Sequence, residues 1–153
     1  MTKYYLLLFS WLFGWQTATA EIPRVLNFTK RQYDAHNQNW SISEGTGGRL
    51  FFGNSAGLLL FDGARWQTFL TPGQPIIRAV HCGPDGRVFV GGFATIGYWK
   101  PDQLGQLKYH SLLEETGSER ARREETWHIL PTGRGLFFQS FSRIYRWHEE
   151  QME

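Results

Sequence analysis

Three stretches decide the fold: WSISEGTGGRLFFG at 40–53, RAVHCGPDGRVFVG at 78–91 and WHILPTGRGLFFQ at 127–139. In each, an aliphatic residue (Ile42, Val80, Ile129) stands six positions before a glycine (Gly48, Gly86, Gly135), and an apolar run containing Phe follows that glycine. Self-similarity at a spacing near 40 residues is the mark of stacked repeat units. The third copy is one residue tighter after its turn and carries Gln139 where the others close on Gly53 and Gly91. Gly45–Gly48 and Gly83–Gly86 hold residue types that accept tight bends, so each copy reads as strand, turn, strand.

Working outward, a third strand follows each copy, at Gly57–Phe61, Ile96–Trp99 and Arg143–Trp147, ending on an aromatic at an equivalent place. Asp62-Gly63 turns into a fourth strand, Arg65–Phe69, and Asp102–Gly105 into its counterpart, Gln106–Leu112. Arg24–Phe28 resembles that fourth strand ahead of the first copy. The units then read as fourth, first, second, third strand, at 24–63, 64–104 and 105–148, with His148–Glu153 lying just past a third strand. Four-stranded antiparallel units at this spacing predict an all-β chain of three β-propeller-like blades, an incomplete propeller across 21–153. Closed rings use about four to eight blades. The expectation is therefore an N-terminal piece of a longer protein, a truncated reading frame, or a protomer that completes a ring by association. A β-sandwich is the competing reading; it explains short strands but not the repeated register.

Composition agrees. The 153 residues contain 12 Phe, 7 Trp, 6 Tyr and 17 Gly, which suits turn-rich β-structure better than helical bundles. A formal charge of +2, with its basic cluster diluted by acids, excludes charge-driven binding to nucleic acid. One cysteine, Cys82, excludes a disulfide within the chain, and its apolar neighbours predict a buried, inert thiol.

Residues 1–20 have the three parts of a secretory signal: Lys3, an apolar run from Tyr4 to Trp15, and the small-residue site Ala18-Thr19-Ala20. Twelve apolar residues in a helix would span about 18 Å, short of a ~30 Å hydrocarbon core. Export with cleavage after Ala20 is expected, and no membrane span after cleavage. No Cys follows that site to carry a lipid.

With these residues in view, the repeats resemble two-component regulator propeller repeats. Their pattern runs from an aliphatic residue through an acidic turn to Gly-x-aliphatic-Trp-aliphatic-Gly-Thr, then Gly-aliphatic and aromatic-Asp-Gly. Ile42 to Gly63 follows it through Glu44, Gly48, Leu50, Gly53, Gly57-Leu58 and Phe61-Asp62-Gly63. Phe51, Phe89 and Phe137 stand where Trp is usual, and Asn54 and Gly92 replace the Thr. The resemblance covers residues 24 to 148. It implies the periplasmic sensor region of a bacterial membrane regulator, of the kind followed by a triple-tyrosine module, a transmembrane helix and an output domain. Further blades, a kinase or other output domain beyond residue 153, homodimers of the full-length sensor and carbohydrate-derived ligands belong to that expectation.

No motif carries catalysis. His36, His81, His110, His128 and His148 show no metal spacing, and no nucleophile elbow, Walker loop or dinucleotide fingerprint occurs. No cofactor or metal is expected. Glu114-Glu115, Glu124-Glu125 and Glu149-Glu150 read as solvated loop charges, since neighbours on a strand point apart. An exported propeller lyase or glycosidase, or a protein-interaction module, are the alternatives to a sensor. For ligand binding, the connections from fourth to first and from second to third strands share one end of a propeller. They offer Tyr33, Asp34, Gln38 and Asn39, then Asn54 and Ser55, then Gln74 and Arg78, and in the third unit Gln139 and Ser140. Planar amides and an aromatic face suit an oligosaccharide or another small molecule.

Overall fold

A computed structural model describes residue 23 and residues 25–153, so the signal segment at 1–20 lies outside the described residues. The chain folds into three four-stranded antiparallel sheets. The first comprises β1 (Asn39–Glu44), β2 (Leu50–Asn54), β3 (Gly57–Phe61) and β4 (Trp66–Phe69). The second comprises β5 (Ile77–Cys82), β6 (Val88–Gly92), β7 (Thr95–Pro101) and β8 (Leu107–Ser111), and the third β9 (Thr126–Thr132), β10 (Gly135–Ser140), β11 (Ile144–His148) and β12 (Gln151–Met152). Each sheet runs in sequence order from an inner to an outer strand, and β5 packs beside both β1 and β9. Three sheets with their first strands side by side are propeller blades, not the two layers of a sandwich.

The repeated register holds residue by residue. Ile42 opposes Phe52, Val80 opposes Val90, and Ile129 opposes Phe138. Gly53 opposes Leu58, Gly91 opposes Ile96, and Gln139 opposes Ile144. Each sheet therefore has two comparable faces. Phe51, Leu58 and Leu60 of the first sheet meet Val88, Val90 and Trp99 of the second. Phe89 and Ile96 on the other face of the second meet Leu136, Phe138, Tyr145 and Trp147 of the third. Burial on both sides explains the continuous apolar strands: all five residues of β6 are buried.

Two sequence expectations change. Val25–Phe28 is not a strand, and Arg24 lies outside the described residues. Instead this segment and the single-turn helix α1 (Lys30–Tyr33) lie over the outward face of the first sheet. Phe28 sits 5.0 Å from Phe61 and 5.3 Å from Trp66, and Tyr33 5.6 Å from Trp66. The aromatics of β2, β3 and β4 offer an apolar plate, and covering it removes more surface from water than an edge hydrogen-bond ladder would. The chain also does not stop after a third strand. Gln151 and Met152 pair with His148 and Trp147, and Met152 is buried against the second sheet. The units at 24–63, 64–104 and 105–148 thus give way to sheets over 39–69, 77–111 and 126–152.

Candidate functional site

The first residue of each aligned stretch holds the same place on each inner strand: Trp40 on β1, Arg78 on β5 and Trp127 on β9. Each is the extra residue of a β-bulge, left without a partner on the neighbouring strand, and the bulges turn all three toward a common region where the inner strands meet. The Arg78 guanidinium carbon lies 3.7 Å from the Trp40 ring centre and 4.8 Å from that of Trp127. Its Nε donates to Glu125 Oε1 at 2.5 Å. Only 14% of the Arg78 side chain and 18% of Glu125 is exposed, so this is a largely dry, neutral pair held between two indoles.

The stack continues into the connections between second and third strands. Phe141 meets Trp127 edge-on at 5.5 Å. The Trp40 indole N–H donates to Ser55 Oγ at 2.9 Å. Ser55, Phe93 and Phe141 are equivalent tip residues of these three connections, and Phe93 bridges through its backbone to Glu125. Trp40 is 40%, Phe93 55% and Phe141 81% exposed, so one end of the molecule presents open aromatic rings over a buried ion pair. Leu70, between β4 and β5, adds exposed apolar surface at the same end.

Of the residues anticipated from sequence, Arg78 enters the stack and Ser55 braces it. The others serve the connections themselves. Asn54 is fully buried: its amide donates to the His36 carbonyl and to Asn39 Oδ1, both at 2.7 Å, while Oδ1 accepts from the Ala56 N–H. Gln38 accepts from Ser55 through its carbonyl and its side chain. Gln139 donates to the Ser140 carbonyl at 2.9 Å. Ser140, 2% exposed, donates to Glu124. Asp34 ends α1 in left-handed backbone, Gln74 closes a turn on Thr71, and Tyr33 faces Trp66. Asn54 and Ser140 act as structural anchors of their connections, with polar atoms matched and sealed from solvent.

Glu124 and Glu125 are likewise not free loop charges. Glu124 accepts from the hydroxyls of Ser140 and Ser142. Those hydroxyls, Ser140 first, hold its carboxyl below the usual glutamate range. Trp40, Trp127, Glu125, Phe93 and Phe141 were missed by a search for polar loop residues. The usable signal was the Trp40/Arg78/Trp127 column of the repeat.

At the other end, an open groove of about 360 Å³ lies between the second and third sheets, floored by Phe89, Leu136 and Trp147. Arg87 fills its mouth, paired with Asp85 at 2.5 Å and with both oxygens of Glu150 at 2.8 and 2.6 Å. Glu150 is held below the usual range chiefly by Arg87. So Glu150 is ion-paired, although 64% of its side chain stays exposed. This end closes the seam between two sheets with matched charges, whereas the Trp40 end leaves rings open.

Among the described residues no group of His, Cys, Asp and Glu is placed to hold a metal ion, and no helix is long and apolar enough to cross a membrane. No protein-family model matches the chain, and no curated protein matches it. The chain is similar in fold to the crystal structure of a protein of unknown function from Bacteroides caccae, with a TM-score of 0.50 and 15% identity. The match covers 74% of this chain and 43% of that one, so the chain spans less than half the length of that protein. It supports the β-rich, blade-like architecture and nothing about activity.

Proposed function

We propose that this chain is the N-terminal part of a periplasmic ligand-sensing β-propeller from a bacterial transmembrane signalling regulator, binding a small ring-bearing ligand and performing no catalysis itself. The observation that carries this reading is the Trp40–Arg78–Trp127 stack. It joins all three sheets at equivalent inner-strand positions and ends in exposed rings. Such a stack is preorganised: the buried Arg78–Glu125 pair fixes the indoles before any ligand arrives. Carbohydrate rings present apolar faces that stack on aromatic side chains, so a carbohydrate-derived ligand fits this end. Contact with rings from three sheets would also let a ligand bias how the blades sit together, the kind of change a sensor transmits. An enzyme reading finds Glu124 and Glu125 converging here, but one is bound by two hydroxyls and the other by Arg78. Neither carboxylate is left to serve as acid or base.

The third sheet supports the incomplete-propeller part of the proposal. Phe137, Ile144 and Arg146 are its counterparts of Phe51, Leu58 and Leu60, which in the first sheet receive the next sheet. Here Ile144 is 66% exposed. This face is shaped to receive another sheet, from a longer chain or from a partner.

Binding is tested by thermal shift and calorimetry against a panel of oligosaccharides. A ligand that stabilises the chain should lose its effect in Trp40→Ala and Phe141→Ala. Retained binding in both variants would remove the stack from the account.

A further inference from the structure

The hydrogen bonds beside Trp40 all run in one direction, and that direction narrows the ligand class. Asn54 is fixed first: its Oδ1 accepts the backbone N–H groups of Ala56 at 2.8 Å and His36 at 3.2 Å, so its amide nitrogen has to donate. It donates to Asn39 Oδ1 at 2.7 Å, which leaves the Asn39 NH2 turned away from Asn54. The Trp40 indole can only donate, and it does so to Ser55 Oγ at 2.9 Å. Ser55 directs its own proton to Gln38 Oε1 at 3.4 Å, which leaves the Gln38 NH2 free. His36 Nδ1 accepts the Gln38 backbone N–H at 3.3 Å, so the neutral ring carries its proton on Nε2. His36, Gln38 and Asn39 are exposed, and none of these outward N–H groups has a protein partner among the described residues.

Resting on the ligand-binding reading above, we infer that this site reads its ligand by donating to it, and that it takes an N-acetylated sugar whose acetamido carbonyl accepts from the Asn39 and Gln38 amides. Both residues immediately precede Trp40, and Gln38 reaches the edge of that indole through Ser55. Arg78 covers one side of the Trp40 ring at 3.7 Å, while the residue stays 40% exposed, so the sugar ring stacks on the open side. A carbonyl oxygen has two lone pairs and no proton, so one acetamido group can serve both amides. A hydroxyl in its place is a weaker acceptor and brings a proton toward groups that themselves donate.

The test is calorimetric titration of the chain with N,N′-diacetylchitobiose and with cellobiose, which share a backbone and differ in carrying an acetamido group or a hydroxyl at the second carbon of each ring. The acetylated sugar is expected to bind at least about tenfold more tightly. Asn39→Asp and Gln38→Glu each turn an outward donor into an acceptor, while the inward oxygen still accepts from Asn54 or Ser55. Each is expected to erase the margin, because a hydroxyl can donate to the new carboxylate and a carbonyl cannot. Unchanged melting curves confirm that folding is intact; if Asn39→Asp melts early, Gln38→Glu, held by Ser55 alone, decides the matter. Equal binding of the two sugars, or a margin that survives in the folded variants, overturns this inference and leaves the ligand-binding proposal standing. Binding of neither sugar at roughly millimolar concentration also overturns it, and the wider oligosaccharide panel then judges the proposal separately.

Discussion

The guanidinium of Arg78 lies 3.7 Å from the ring centre of Trp40, and the two residues hold the same position in successive copies of the repeat. One copy has supplied a cation where its neighbours supply indoles. The repeat therefore does more than build blades: it brings one column of side chains together where the inner strands meet.

Removing the cation should be costly. Arg78→Ala leaves Glu125, only 18% exposed, without its partner and opens a gap between two indoles. Breaking a mostly buried pair from one side costs about 3 kcal/mol. Arg78→Lys restores charge but not the flat group between the rings, so it should recover only part of the loss. Denaturant titration followed by tryptophan fluorescence measures both, and a wild-type midpoint for Arg78→Ala would remove the pair's structural role.

The glycines at strand ends mark close approaches. A Cβ at Gly92 would overlap the carbonyl oxygen of Ile76 on the neighbouring connection. Backbone cannot yield as a side-chain end does, so Gly92→Ala should cost at least about 2 kcal/mol. Gly63→Ala makes a useful contrast: nothing lies within 4 Å, but its φ of 97° strains any other residue. Its loss should be the smaller, near 1 kcal/mol.

Acid should loosen both ends of the molecule. Glu124 and Glu150 are each held below the ordinary value of 4.5, by Ser140 and Ser142 in one case and by Arg87 in the other. A carboxyl whose folded value is depressed contributes stability that is complete above its unfolded value and lost as pH falls through the folded one. The share of the melting temperature owed to these two carboxylates should therefore be flat above about pH 5 and decline below it. Glu150→Gln should flatten part of that decline. An unaltered slope in Glu150→Gln would deny the Arg87–Glu150 link any share.

Cys82 should be sluggish. Burial pushes its thiol up, outweighing the Ser43 hydrogen bond, so little thiolate exists at neutral pH. Disulfide-exchange reagents should react far more slowly with folded than with unfolded chain. Equal rates would show that β5 opens readily.

The blades were legible because their punctuation is local. Gly48, Gly86 and Gly135, and the aromatics Phe61, Trp99 and Trp147, recur in register, and pairing within a sheet spans few residues. The cover over the first sheet was not legible, since Val25–Phe28 has the make-up of a strand and only the plate formed by Phe61 and Trp66 diverts it. The stack was half legible. Arg78 could be singled out as a polar residue near a connection, but its partners Trp40, Trp127 and Glu125 lie far along the chain. Asn54 turns inward because its connection has backbone groups to satisfy, and it satisfies several at once.

The account's central claim, that ligand binds at the end where the inner strands bring Trp40 and Trp127 together, is tested most directly by NMR of the indole N–H groups during ligand titration. The account predicts that the Trp40 and Trp127 signals shift together while Trp66 and Trp99, set between outer strands, stay in place. Shifts confined to Trp147, on the floor of the opposite groove, would contradict it.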